Sequence, residues 1–188
     1  ARDRRPRGTT LHPRPGAAGA RDIDVCFLGS VAPYPERRAA VAALEASGLR
    51  VVTGGGQRER PLPVKDYADT MARARIVVNF SRHWRGAGLR QCKGRVFEAL
   101  HCGAALLEEQ NAETPHWLRE GEEYVAFDGA QALLPAIRSL LGDPARLERI
   151  AAAGHAAAVA RFSAKRFWQA LLSAAGVPAA RPPEPPEP

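Results

Sequence analysis

Between Ser81 and Glu98 the chain places six basic side chains, Arg82, His83, Arg85, Arg90, Lys93 and Arg95, with no acid until Glu98. Gly86, Gly88 and Gly94 lie among them. The segment leaves an apolar run, Ile76 to Phe80, and enters an amphipathic one that starts near Gly94. A helix that begins there offers unpaired N–H groups and the positive end of its dipole. Glycine lets a ligand come close to the backbone, and Lys and Arg add a point charge and forked donors. The combination suits a diphosphate. Lys93 and Arg95, at the helix mouth, are the candidate ligands, whereas Arg82 and Arg85 read as exposed charges on a solvated loop. Trp84 either stacks on a base or folds over its own loop.

Glu98 falls one turn into the same helix. Val96, Phe97 and Leu100 form its apolar face, and Glu98 shares another stripe with Arg95 and Cys102. A carboxylate so placed can accept from both hydroxyls of a ribose, or simply pair with Arg95 at i, i+3. A second polar group follows another apolar run: Glu108, Glu109, Gln110, Asn111 and Glu113 come after Ala104 to Leu107. These side chains could hold sugar hydroxyls, or Glu113 could serve the next helix as an acid on its dipole. Near the start, Phe27-Leu28-Gly29-Ser30 leads to Tyr34-Pro35-Glu36-Arg37-Arg38. Gly29 suits a close backbone approach and Arg37 or Arg38 could face an anion; a tight turn with exposed arginines is the plainer reading. Neither G-x-G-x-x-G nor a G-K-[ST] loop occurs, which argues against a dinucleotide dehydrogenase or a P-loop NTPase.

The elements that must hold these residues alternate. Strands are expected at Ile23 to Leu28, Leu49 to Thr53, Ile76 to Phe80, Ala104 to Leu107 and Tyr124 to Phe127. Helices are expected from Pro33–Pro35 with Ala40, Val41 and Leu44 inward, over Val64, Tyr67, Ala68 and Met71, from Gly94 to His101, briefly from Thr114 to Arg119, and from Gln131 to Leu141. Asp143-Pro144 is an N-cap with proline at N1, opening a helix with Leu147, Ile150, Ala151 and Gly154 inward. Ser163 caps a last helix carrying Phe167 and Leu171, and Trp117 and Trp168 read as packing. This alternation predicts an α/β fold: a Rossmann-like parallel sheet of about five strands with helices on both faces. Ligands of such sheets bind beyond the carboxyl ends of the strands.

The chain has 188 residues, 45% hydrophobic and 25% charged, enough for one domain with a core. Its net charge is +7. Residues 1–22 carry +4, the body 23–175 carries +4 and the tail 176–188 carries −1. The expected organisation is therefore a disordered basic leader or linker over 1–22, one domain over 23–175, and a disordered Pro-rich tail over 176–188. No apolar run is long enough for a spanning helix. Three cysteines, Cys26, Cys92 and Cys102, show neither a disulfide framework nor zinc spacing. A reducing, cytoplasmic setting with no bound metal is expected.

The run Gln91-Cys92-Lys93-Gly94-Arg95-Val96-Phe97-Glu98-Ala99-Leu100-His101-Cys102-Gly103-Ala104 is the most specific pattern. With Phe27 to Arg38 before it and Asn111-Ala112-Glu113 after it, it resembles the group 1 glycosyltransferases. More narrowly it is similar to the spore-maturation-type glycosyltransferase-like branch, over about residues 24–168. The resemblance implies one half of a GT-B architecture, the C-terminal domain that holds a nucleotide-sugar donor. By that likeness Lys93 and Arg95 would hold the donor diphosphate and Glu98 the ribose. Gly29 and Ser30 would line the cleft, with Glu109, Asn111 and Glu113 near the donor sugar. Many retaining members carry Glu-x7-Glu; here Glu98 stands at the second position and Arg90 at the first. GT-B enzymes generally need no bound metal.

The expected function is hexosyl transfer from a nucleotide sugar to an unknown acceptor, with this chain as the donor-binding part and an N-terminal GT-B domain, in cis or on a partner chain, completing the cleft. A non-catalytic nucleotide or nucleotide-sugar binding module is the alternative. An RNA-binding protein is the second alternative. The leader lacks interleaved aromatic residues, so no nucleic-acid partner is expected.

Overall fold

The computed structural model describes residues 21–55, 62–83 and 88–177. The expected leader up to residue 20 and the tail from 178 lie outside them, as do Trp84, Arg85 and Gly86. Among the described residues five strands form, β1 (Ile23–Gly29), β2 (Val51–Gly55), β3 (Ala74–Asn79), β4 (Ala105–Glu109) and β5 (Val125–Phe127). All neighbours are parallel, in the order β2-β1-β3-β4-β5. The helices are α1 (Pro35–Glu45), α2 (Val64–Arg73), α3 (Gly94–His101), α4 (Gly129–Gly142), α5 (Pro144–Arg161) and α6 (Ala164–Ala174).

Both faces of the sheet are covered, which is why its strands read as continuous apolar runs rather than alternating ones. Val25, Phe27, Ile76, Val78 and Leu107 face α1 and α4. Phe27, Phe80 and Phe127 stack edge to face there, with centroids 5.2 and 5.7 Å apart. Cys26, Leu28, Val77 and Leu106 face the other way, toward Met71 of α2, Val96 and Leu100 of α3, and Ala157 and Ala158 of α5. The predicted caps form: Asp143 accepts from the backbone N–H of Arg146 and Ser163 from that of Arg166. Arg21 closes the amino end of the sheet by donating to the carbonyls of Ala74 and Gly103.

Three expectations change. The helix over Thr114–Arg119 is only a 3-10 turn, Thr114–His116. Asn111 caps it and Leu118 dives into the core, which ends it. In α2 only Met71 is buried, and Val64 is exposed. Trp117 and Trp168 do not pack inside: each is half-exposed, and α6 buries no residue. Among the described residues the sheet is already covered by α1 to α5, and α6 stands apart from it, across a cavity lined by Phe97, Glu98, His101 and Trp117. Phe167, Trp168, Leu171 and Leu172 are left on the surface. Replacing Trp168 or Leu171 by Ala should change the free energy of unfolding by ~0.5 kcal/mol or less. The same change at a core leucine such as Leu100 should cost about 2–5 kcal/mol. Urea unfolding checks this; a loss above about 2 kcal/mol at Trp168 would show that α6 is packed.

Candidate functional site

The strand order decides where a site can form. The chain passes from β1 outward to β2, then crosses back over β1 to β3. Next to β1 and β3 the winding reverses, and the connections leaving their carboxyl ends diverge to open a crevice. Gly29 ends β1 and Asn79 ends β3.

Arg95, in the first turn of α3, lies across this point. Its Nη1 donates to Oδ1 of Asn79 at 2.9 Å. Its Nη2 occupies the space over Gly29, where an added Cβ would sit only 2.6 Å away. Its guanidinium also lies over the Phe27 ring, 5.4 Å from the centroid. Gly29 is therefore needed for close approach, but the group approaching is Arg95 of the protein itself.

Lys93 is the N-cap of α3, with extended backbone and no side-chain cap. Its ammonium turns back to donate to the carbonyls of Phe80 at 2.6 Å and Arg82 at 2.8 Å. Burial lowers its pKa to about 8, and the charges of Arg37 and Arg95 act in the same direction against those of Glu108 and Glu109. Arg37 is buried rather than exposed. Its guanidinium lies 3.6 Å from the centroid of the Tyr34 ring and donates to the carbonyl of Ser30 at 2.8 Å. Three half-buried or buried cations, Arg37, Lys93 and Arg95, thus converge beside the free N-terminus of α3.

Acidic groups lie behind them. Glu108, fully buried, accepts from Nδ2 of Asn79 at 2.8 Å and from Nδ2 of Asn111 at 3.0 Å. Burial pushes its carboxyl up to about 8, opposed by the Asn79 hydrogen bond and by Lys93. Glu109 accepts from Oγ of Ser81 at 3.2 Å and from the backbone N–H of Arg82 at 3.1 Å. Arg82 pairs with Glu36 and approaches Glu109 to 3.4 Å, so it is tied down rather than solvated.

The predicted residues divide accordingly. Gly29, Ser30, Arg37, Lys93, Arg95 and Glu109 come together at the crevice. Glu98 stands one turn along α3, where the Tyr67 hydroxyl donates to its Oε2 at 2.6 Å. Burial first, then this bond, pushes the Tyr67 phenol above its ordinary range. Arg95 turns to Asn79, so Glu98 is not consumed by an Arg95 pair. Asn111 is buried and structural: its Oδ1 accepts from the backbone N–H groups of Glu113 and Thr114. Glu113 is exposed and faces a shallow depression with Arg90, Cys92 and Trp117. Arg90, standing at the first position of the Glu-x7-Glu pattern, donates to the carbonyl of Gln110. Sequence reasoning passed over Asn79, Ser81 and Tyr67. The one available signal was a polar residue closing the apolar run of β3. Among the described residues no group of three His, Cys, Asp or Glu side chains could hold a metal ion.

A family model for glycosyl transferase-like proteins matches residues 21–173. The chain belongs to this family. Its fold is that of GT-B domains: the similar solved structures include Anabaena Alr3699/HepE in complex with UDP and glucose, at TM-score 0.67 and 15% identity, covering 83% of this chain and 48% of that one. The C-terminal domain of a group 1 family glycosyl transferase (LpcC) from Francisella tularensis aligns at TM-score 0.55 and 12% identity, over 76% of this chain and 87% of that one. Sucrose-phosphate synthase from Thermosynechococcus elongatus aligns at TM-score 0.52 and 19% identity, over 80% of this chain and 38% of that one. This glycosyl transferase-like chain spans about half the length of the HepE structures. Among curated proteins none matches it. Among its described residues no helix is long and apolar enough to cross a membrane.

Proposed function

We propose that the chain binds the donor of a nucleotide-sugar-dependent glycosyltransferase, with a hexose as the group transferred. The observation that carries this reading is Arg95 lying across the strand-order reversal with Lys93 beside it at the mouth of α3. A nucleoside diphosphate gains negative charge as the glycosidic bond breaks. Cations already fixed by Asn79 and by the carbonyls of Phe80 and Arg82 stabilise that charge without reorganising. In this reading Lys93, Arg95 and the helix dipole supply the stabilisation, and no metal is assigned a part. Glu98, whose Oε1 is not engaged by Tyr67, accepts from the ribose hydroxyls. Glu109 borders the crevice where the sugar would lie. HepE has been solved with UDP-glucose, which makes that donor the first to try.

The acceptor side is assigned to a second domain, in keeping with the half-length match to HepE. The exposed apolar side chains of α6 offer that domain a surface to cover. Three free thiols accord with a reducing compartment, and we place the protein in the cytoplasm.

The test is calorimetric titration of the chain with UDP, GDP, ADP and their sugar conjugates, with Gly29→Ala and Glu98→Ala alongside. One base should bind preferentially. Gly29→Ala should weaken binding about tenfold by displacing Arg95, the loss of one ordinary hydrogen bond to the ligand. Glu98→Ala should weaken nucleoside diphosphates but not inorganic pyrophosphate. Equal binding of all bases, unaffected by either variant, would overturn the reading.

A further inference from the structure

A chain of hydrogen bonds under the crevice runs in one direction only. Arginine can only donate. Nη1 of Arg95 therefore requires Oδ1 of Asn79 to face it, at 2.9 Å. That turns Nδ2 of Asn79 toward Glu108 Oε2, at 2.8 Å. From the other side, Oδ1 of Asn111 accepts two backbone N–H groups, those of Glu113 at 3.0 Å and Thr114 at 2.8 Å. Its Nδ2 must then also face Glu108, and it does, at Oε1 and 3.0 Å. Glu108 is met by a donor on each oxygen, and it is fully buried, so no water can mediate a mismatch. Only a side chain that accepts at both ends fits, and the ionised Glu108 carboxylate, the form present above about pH 8, does so.

Glu108 sits too deep to meet a ligand, and its bonds all go to protein groups. Its nearest charged neighbours are cations of the site, Lys93 and Arg95, together with Glu109; Cys92 and Tyr124 also feel its charge. Its effect on the site passes through Asn79. The Asn79 amide could rotate by half a turn at little cost if nothing held it. Rotated, it would present an N–H to the Arg95 guanidinium, and Arg95 would leave its place over Gly29.

We propose that Glu108 is a positioning residue of the donor site: by accepting from both Asn79 and Asn111 it fixes the Asn79 amide so that Arg95 is held over Gly29, aimed at the diphosphate. This rests on the donor-site reading above. Each substitution then has a defined effect on the chain of donors and acceptors. In Glu108→Gln one end becomes a donor. Asn111 is pinned by two backbone groups and Asn79 by one side chain, so Asn79 yields and Arg95 is released. Adding Asn79→Asp restores the polarity: the carboxylate introduced on β3 would accept from both Arg95 and the new amide, while the amide oxygen still accepts from Asn111. The same number of carboxylates remains, moved one link along the chain.

The experiment titrates the 188-residue chain and its variants, at pH 8.5, with the nucleoside diphosphate it prefers and with inorganic pyrophosphate. Glu108→Gln should weaken both roughly ten- to a hundredfold, about as far as Arg95→Ala does. It should have little further effect in the Arg95→Ala background. The paired variant, Asn79→Asp with Glu108→Gln, should recover binding to within about threefold of the unaltered chain, by the same hydrogen-bond count. A merely structural role would give additive losses and no recovery. If Glu108→Gln does not fold, the paired variant still decides, since it must both fold and bind. Unchanged binding in Glu108→Gln, or no recovery in the paired variant, overturns the inference while leaving the donor site in place if Arg95→Ala still weakens binding. No binding of either probe by the unaltered chain overturns the donor-site reading and this inference with it.

Discussion

Gly154→Val should unfold most of the chain at temperatures where the unaltered protein is intact. Gly154 lies in the middle of α5, where glycine costs about 1 kcal/mol relative to alanine. The cost is accepted for contact. A Cβ there would meet the carbonyl oxygen of Glu123 and Cδ2 of Leu100, both at 2.6 Å. Leu100 can turn aside, but the Glu123 carbonyl belongs to a backbone anchored on both sides. The Glu123 carboxylate accepts from the backbone N–H of Arg119 at 3.0 Å and from Arg161 at 2.5 Å, and the following Tyr124 is buried. Something must shift, and what shifts is α5. Alanine sets a gain of about 1 kcal/mol in helix propensity against overpacking of about 1–3 kcal/mol, for a net loss. Valine adds two methyl groups to the same clash and should cost at least the upper end of that range. Against a total stability of about 5–15 kcal/mol, this is a large share. Thermal and urea unfolding of Gly154→Ala and Gly154→Val measure it. A melting temperature raised by Gly154→Ala would show that propensity outweighs contact and would refute the argument. The damage would reach the crevice as well. α5 holds the carboxyl end of α3, where Nδ1 of His155 meets the Leu100 carbonyl at 3.0 Å, and the other end of α3 carries Lys93 and Arg95.

That packing was legible in the sequence. Leu147, Ile150, Ala151 and Gly154 fall at helical spacing behind an Asp-Pro cap, and all four are buried. The five strands among the described residues were equally legible, because a sheet covered on both faces makes each strand a short apolar run. The bounds of α3 followed from Gly94 and Gly103, the latter in the left-handed region at φ +69°. What failed was anything that depends on what lies beneath an element. The α6 pattern is that of a core helix, and nothing in a linear pattern reveals that the sheet has no room left for it. In the site, residue types that suit phosphate point to Lys93 and Arg95, and the structure sets both at the mouth of α3. Their partners were hidden. Asn79 closes a strand and Glu108 opens a polar tail, 29 positions apart, and only the parallel pairing of β3 with β4 sets them opposite each other. For Arg37 the sequence leaves two readings, facing an anion or exposed on a tight turn; the rings of Tyr34, Phe27 and Phe80 bury it.

Lys93→Ala should abolish most of the affinity for a nucleoside diphosphate while leaving the fold intact. The ammonium holds two carbonyls, those of Phe80 and Arg82, and losing these bonds destabilises the chain. Losing the charge acts the other way, since it stands among Arg37 and Arg95 in a half-buried place. The two effects offset each other in the free protein. With the diphosphate present they do not: a charge-assisted hydrogen bond worth about 1.5–3 kcal/mol is lost, a factor of roughly ten to a hundred or more in affinity. The same residue couples binding to protons. With a pKa of about 8 it is part neutral at that pH in the free protein. A bound anion favours its charged form and raises that pKa, so binding takes up protons at about pH 8. Above that, affinity must fall as pH rises, because each binding event must first protonate Lys93. Well below about pH 7 the group is already charged and its uptake vanishes. Glu108 titrates in the same range and takes up a share, so the Lys93 contribution is the difference between the chain and Lys93→Ala. Calorimetry in two buffers of different ionisation enthalpy reads the proton count directly. Equal proton uptake in both proteins at that pH, or equal affinity, would place the diphosphate away from Lys93 and leave the mouth of α3 without its leading ligand.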